Sequence, residues 1–288
     1  MESLLNNLEE KYINYIKRNE KLTNKSLKET FIHFLKEKNL DKRMELWNNF
    51  SVNINSIKQI PRLANPYFIG FGNPQADVLF IGKEKAFNIH SSPLSFLHES
   101  VNNTLQWKKL IENDTATLSP FDPKNPRSYH AGKIKAVHTW GKYAQIIAEM
   151  KGIKTKPFLK AYEIGDKTFF DHCFLTEINH IPSRYSKGKK ASPVRVEFLK
   201  SPFYKRFKHV IIGARPYLSH EQIKEIFQVN KDPKKIILGY KGKKKDKPIV
   251  AHLFKTKTQT IIYCGQLSGA AGWTNEAIEN LVTTITST

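Results

Sequence analysis

A carboxylate flanked by two ammonium groups, Lys83-Glu84-Lys85, follows a short apolar run, Val78-Leu79-Phe80-Ile81, closed by Gly82. The run is bounded by the turn residues Asn73-Pro74 and Asp77, which predicts a strand buried on both faces. Open α/β sheets bind ligands at the carboxyl ends of their strands. Glu84 therefore stands where a carboxylate can stabilise developing positive charge or orient a water. The alternative is a structural ion pair of Glu84 with Lys83 or Lys85. Three further strand ends present polar groups: Glu177, Asn179 and His180 at the end of residues 169–178, Gly213 to Arg215 after 207–212, and Gln266 to Gly269 after 260–263.

These strands alternate with helical patterns. Residues 93–112, 134–150, 194–199, 219–227 and 275–283 carry helix signals, and 235–238 and 249–254 read as shorter strands separated by the basic stretch 241–247. Strand–helix alternation predicts a mostly parallel sheet with helices on both sides, a three-layer α/β/α sandwich. The four strand ends then converge on one edge. Ahead of this domain, which spans 61–288, residues 1–60 read as a helical extension: Leu4, Leu5, Leu8, Tyr12 and Tyr15 recur at helical spacing, as do Leu27, Phe31, Phe34 and Leu35. A separate interaction module is the alternative for that segment.

The stretch Gly70-Phe71-Gly72-Asn73-Pro74-Gln75-Ala76-Asp77-Val78-Leu79-Phe80-Ile81-Gly82 resembles the first motif of the uracil-DNA glycosylase superfamily, in which a turn, strand and glycine lead into the catalytic loop. The loop itself, Lys83-Glu84-Lys85-Ala86-Phe87, departs from the common subfamily versions. The resemblance implies that Glu84 takes the place of the catalytic aspartate and that Phe87 stacks on a base flipped out of the duplex. The run Leu175-Thr176-Glu177-Ile178-Asn179-His180 matches the strand whose asparagine reads that base, with Glu177 at the asparagine's position. Asn179, two residues on, lies on the same face of an extended chain. Gln266-Leu267-Ser268 occupies the place of the last motif, where only Ser268 survives. Gln266 can donate its amide to a base O2 but cannot carry an imidazolium's charge, and His180 is a further catalytic candidate. Trp273, after a Gly/Ala loop, is a candidate wedge for the duplex or an anchor for the next helix.

The chain has 288 residues and a net charge of +21, a field that favours polyanions. Lys83, Lys85, Arg184, Lys187, Lys189, Lys190, Lys243, Lys244 and Lys245 are candidate phosphate contacts, and DNA is the expected partner, with no protein partner required. No apolar run is long enough to span a membrane, the N-terminus is unlike a signal peptide, and the location expected is cytoplasmic. The two cysteines, Cys173 and Cys264, lie in apolar strand-like runs; they cannot hold a four-cysteine iron–sulfur cluster and do not form a zinc deaminase's paired-cysteine motif. No cofactor or metal is expected.

The resemblance implies a monofunctional DNA glycosylase. In classical uracil enzymes a tyrosine blocks groups on C5 of the pyrimidine; Ala86 stands in its place and leaves room. An ionised Glu177 accepts hydrogen bonds only, which suits the N4 amino group of cytosine and repels O4 of uracil. The expected substrate is a C5-modified cytosine of phage DNA, excised in anti-phage defence. The alternatives are uracil repair, with Asn179 supplying the amide, and a degenerate module that binds DNA without cutting it. A metal-dependent nuclease is the weakest reading, because Asp77 and Glu84 lie at opposite ends of one strand.

Overall fold

The computed structural model describes residues 2–51, 59–85, 89, 93–112, 117–119, 138–153, 163–164, 167–186, 190–241, 247–267 and 271–287. The strands are β1 (Phe71–Gly72), β2 (Val78–Gly82), β3 (Glu163–Ile164), β4 (Lys167–Thr168), β5 (Phe174–Glu177), β6 (His209–Ile212), β7 (Lys234–Lys241), β8 (Lys247–Lys255) and β9 (Thr260–Tyr263). The helices are α1 (Glu2–Leu5), α2 (Leu8–Arg18), α3 (Lys25–Lys36), α4 (Leu40–Ser51), α5 (Pro93–Phe96), α6 (Asn103–Glu112), α7 (His138–Met150), α8 (Pro193–Leu199), α9 (His220–Phe227) and α10 (Asn275–Thr286). The fold is α/β, with a seven-stranded mixed sheet ordered β1-β5-β2-β6-β9-β8-β7. Its centre, β5-β2-β6-β9, is parallel, while β1, β7 and β8 pair antiparallel.

β2 lies inside the sheet, between β5 and β6, where its apolar run is covered. Val78 to Ile81 are all buried, as a strand covered on both faces requires. Its register sets Gly82 beside Glu177 and Ile81 beside Ile212. The segment entering it depends on glycine. Gly72 has φ +101°, and a Cβ there would lie 2.1 Å from the Cys173 carbonyl oxygen; at Gly70, with φ +140°, it would lie 2.1 Å from that of Leu175. Only glycine permits so close a backbone approach at such dihedrals. Asn73 locks the following turn: its Oδ1 accepts from Gln75 N at 2.8 Å and its Nδ2 donates to Asp171 O at 3.0 Å.

The helices obey local signals. Asn24 caps α3, Ser219 and Gln222 form a capping box on α9, and Thr274 caps α10. The N-terminal helices build their own apolar cluster, including Tyr12, Phe31, Phe34 and Trp47, which extends onto Phe96, Leu97 and Val101. Fully buried Arg43 ties these layers together by donating to Glu9 Oε2 at 2.6 Å and Asn102 Oδ1 at 3.1 Å.

Four elements differ from the sequence expectation. The strand expected over 169–178 begins only at Phe174, because Thr168 and Asp171 form a capping box that winds Phe169–His172 into a 3-10 turn. The helix expected over 93–112 contains a π-helical turn at Leu97–Val101 between α5 and α6. The short strands expected near 235–238 and 249–254 are longer, running over the whole of β7 and β8. Of the helix expected over 134–150, the part before His138 lies outside the described residues. Cys173 and Cys264 are both buried free thiols. Among the described residues no helix is long and apolar enough to cross a membrane.

Candidate active site

The parallel ladder does not stop where β2 ends. Ile178 N donates to Gly82 O at 3.0 Å, Asn179 N to Lys83 O at 2.8 Å, and Ser183 N to Lys85 O at 2.8 Å. Lys83-Glu84-Lys85 is thus held in a fixed strip beside residues 178–183, beyond the carboxyl edge of the sheet. That strip sends Glu84 and Lys85 into two different environments.

Glu84 sits between two donors. Asn179 Nδ2 donates to one carboxylate oxygen at 3.2 Å and Tyr217 Oη to the other at 3.0 Å. Asn179 is itself oriented, because its Oδ1 accepts from Ser192 N at 2.7 Å, which turns the Nδ2 toward Glu84. Tyr217 comes from the segment between β6 and α9. Burial, and then its bond to the carboxylate, push its phenol up to about 12, so at neutral pH it remains a donor. Lys83 Nζ lies 5.3 Å from the centre of the Tyr217 ring. Glu84 is partly exposed and is held on both oxygens by neutral donors, an arrangement that fixes a carboxylate in place and leaves its outer lone pairs for a ligand or water.

Lys85 turns inward. It is 5 % exposed, forms an ion pair with Glu177 Oε2 at 3.2 Å, and lies 3.4 Å from the centre of the Phe68 ring. Burial lowers its pKa and the Glu177 charge raises it again, with the net direction downward. Glu177 is displaced upward by burial, opposed by Lys85. Arg195, fully buried on α8, faces the same ring, its Cζ 4.1 Å from the centroid. Its guanidinium donates to the carbonyls of Pro66, Phe68 and Glu177 and to Thr176 Oγ1, all within 2.7–3.0 Å.

His180 lies at the edge of this cluster. Its Nε2 is 3.0 Å from Tyr15 Oη on α2, and the two rings meet edge to face. Burial, helped by the charges of Arg195 and Lys85, pulls its pKa down to about 3, so the imidazole is neutral at physiological pH. Glu99, on the π turn, is 6 % exposed and is pushed up to about 8 by burial, with Lys85 opposing and Glu177 adding.

Several sequence-derived roles change. Lys85 is not a phosphate contact, because it is buried against Phe68 and paired with Glu177. Trp273 is not a wedge: it is 7 % exposed and its Nε1–H donates to Gln266 O at 3.1 Å, so it anchors the loop ahead of α10. Asn179 is not a free amide for a base, since its oxygen is taken by Ser192 and its nitrogen by Glu84. His180, the further catalytic candidate, is buried with its Nε2 3.0 Å from Tyr15 Oη. Arg184 and Lys190 are exposed, as a phosphate contact requires, and Gln266 is exposed at the end of β9. Asp77 is at the opposite end of β2, paired with Lys208. Ala86, Phe87, Lys187, Lys189, Lys243, Lys244, Lys245 and Ser268 lie outside the described residues. Tyr217, Arg195, Glu99, Phe68 and Tyr15 are additions that the strand-end reading missed. Tyr217 alone had a signal, standing two residues past Gly213-Ala214-Arg215. Comparison with family models, with curated proteins and with solved structures finds no match to this chain.

Proposed function

We propose that the chain is a monofunctional DNA glycosylase, a divergent member of the uracil-DNA glycosylase superfamily with the three-layer α/β/α arrangement. It flips out a C5-modified cytosine of phage DNA and excises it in the cytoplasm, leaving an abasic site in an invading genome. The observation that carries the reading is the clamped carboxylate: Glu84 just beyond the carboxyl end of the inner strand β2, fixed by Asn179 and Tyr217. Breaking an N-glycosidic bond leaves its electron pair on the base and positive charge on the sugar. A carboxylate near the anomeric carbon stabilises that charge and orients the water whose oxygen forms the new bond, while the departing base takes up a proton. Gln266 supplies an amide donor for the O2 of the leaving base. The net charge of +21, with Arg184 and Lys190 exposed, suits a duplex backbone.

Base choice rests on Glu177. One oxygen is held by Lys85, and the side chain stays 22 % exposed, so an acceptor remains for the N4 amino group of cytosine. Uracil repair is weakened, because the amide expected to read uracil is spent on Glu84. A degenerate DNA-binding module is the second reading, favoured by Gln266 at the place of the last motif, where an amide cannot carry a cationic charge against the departing base. Rates of base release from one duplex context carrying uracil, cytosine, 5-hydroxymethylcytosine or its glucosylated form test the proposal. A modified cytosine is expected to be released fastest. Glu177→Gln keeps an oxygen for Lys85 and adds an N–H donor, so it should shift the ratio toward uracil by about tenfold, the scale of one base-edge contact. Efficient uracil release with no release of any modified cytosine contradicts this substrate assignment.

A further inference from the structure

The β7–β8 hairpin runs past the sheet edge on which Glu84 stands. Ile81, Ile212, Tyr263 and His252 lie in one row across β2, β6, β9 and β8. β9 ends at that row, but β8 and β7 continue: Lys247 to Ala251 pair with β7 alone, up to Lys241 opposite Lys247. At about 3.3 Å per residue the ribbon overhangs the row by about 16 Å. Glu84, just past Ile81 and Gly82, is on the same side, and strand spacings of about 4.8 Å put β8 about 14 Å from β2. One face of the ribbon is backed by α10. Ile249 and Ala251 are buried there, Asn280 Nδ2 donates to Leu238 O at 2.9 Å, and a Cβ at Gly239 would lie 3.2 Å from that of Ala277. The other face is open. Cross-strand partners share a face, so Ile237 stands beside Val250, Tyr240 beside Pro248 and Lys235 beside His252. Ile237 is 55 % and Tyr240 40 % exposed. Neither strand carries an acid, and among the described residues no ion pair reaches Lys235, Lys241 or Lys247. Lysines alone protect an edge strand from unwanted pairing, whereas an exposed isoleucine and tyrosine beside them work against that protection and mark a contact surface. The ribbon also touches the loop that carries Gln266. A Cβ at Gly272, which has φ +72°, would lie 3.5 Å from Lys241 Cβ, and the adjoining Trp273 donates to Gln266 O.

We propose that the β7–β8 ribbon is a DNA-gripping arm that holds the duplex beside the extruded nucleotide, with its lysines on phosphates and Tyr240 and Ile237 against the sugars. This inference rests on DNA being the partner and assigns the element that orients it; it does not require excision. A net charge of +21 draws a duplex toward every side of the molecule. A backed ribbon at one edge selects how the duplex lies, because phosphate and sugar contacts set register and orientation without reading sequence. Two-stranded β-ribbons are among the elements that DNA accommodates. Charge selects the occupant: a second copy of this chain would bring the same acid-free row of lysines to the contact and be repelled, whereas a phosphate backbone complements it.

The test uses the full chain and a short duplex of unmodified bases, with affinity measured over a range of salt. Lys235→Gln combined with Lys247→Gln should lower the slope of log affinity against log salt by about two, one for each phosphate contact. Lys255→Gln combined with Lys257→Gln removes the same charge at the opposite edge, where β9 begins, and should leave the slope as in wild type. Ile237→Ser combined with Tyr240→Ser should weaken binding by about tenfold at an unchanged slope, the scale of truncating a contact aromatic. All of these side chains are exposed, so thermal melting should hold throughout. Three results overturn the inference: no duplex binding by the wild type, slopes that fall equally for the two lysine pairs, or serine variants that bind like wild type. So does sedimentation as a dimer that the serine variants break, the open face then being an interface between copies. Base release from modified duplexes reports separately. Weakened arm variants with no release from wild type leave the inference standing and remove the excision reading; release with unaffected arm variants does the reverse.

Discussion

Glu84→Gln is expected to lower base excision by about 100-fold or more while leaving the fold and duplex binding intact, the scale of a lost electrostatic or acid–base group. The substitution is nearly isosteric. Asn179 is fixed by Ser192 N, so it still presents its Nδ2, which the new amide oxygen accepts. The new amide nitrogen faces Tyr217, whose hydroxyl oxygen can accept in its turn. Packing therefore changes little and charge changes by one unit. Single-turnover rates, with thermal melting and duplex affinity measured alongside, separate chemistry from structure. A rate within about threefold of wild type would remove the carboxylate from the mechanism.

The largest loss of stability is expected at Arg195. Arg195→Met fills similar volume but withdraws the donors that serve the carbonyls of Pro66, Phe68 and Glu177 and the hydroxyl of Thr176. Buried acceptors stripped of a charged donor cost about 1–3 kcal/mol each, and breaking such buried arrangements typically costs about 3–5 kcal/mol in total. It also removes one of the two cations that face Phe68, loosening the ring against which Lys85 packs. Urea unfolding should show a lower midpoint at an unchanged slope. Arg195→Lys should recover only part of the loss, because an ammonium cannot match a planar fork spread over four acceptors. A midpoint shift equivalent to less than about 1 kcal/mol would mean that these bonds are replaced by water.

What the sequence made legible follows from how local each signal is. The β2 run is a contiguous apolar stretch ended by glycine, so both the strand and the position of Glu84 could be read directly. The misplaced start of β5 also has a local cause: Phe169-Phe170 reads as strand by composition, but the Thr168–Asp171 capping box overrides it. The π turn adds one residue to a helix and barely disturbs its periodicity, so it left no trace, and neither did the inward turn of Glu99. The partners of Glu84 were harder still. Asn179 and Tyr217 flank it only because β5 and β6 lie on either side of β2, an order that emerges from the sheet and not from spacing along the chain. Lys85 shows the limit of reading charge by type. One residue from the exposed edge, it turns under Phe68 and pairs with Glu177, where composition alone suggested a solvated phosphate contact.

The central claim is that this chain breaks an N-glycosidic bond in DNA, and the products of that reaction test it most directly. Purified chain, incubated with a panel of duplexes each bearing one defined base, should release a C5-modified cytosine as a free base detectable by mass spectrometry. One abasic site should form per base released, and the strand should break only after alkali. No free base from any duplex, or strand scission that depends on added divalent metal, would contradict the account.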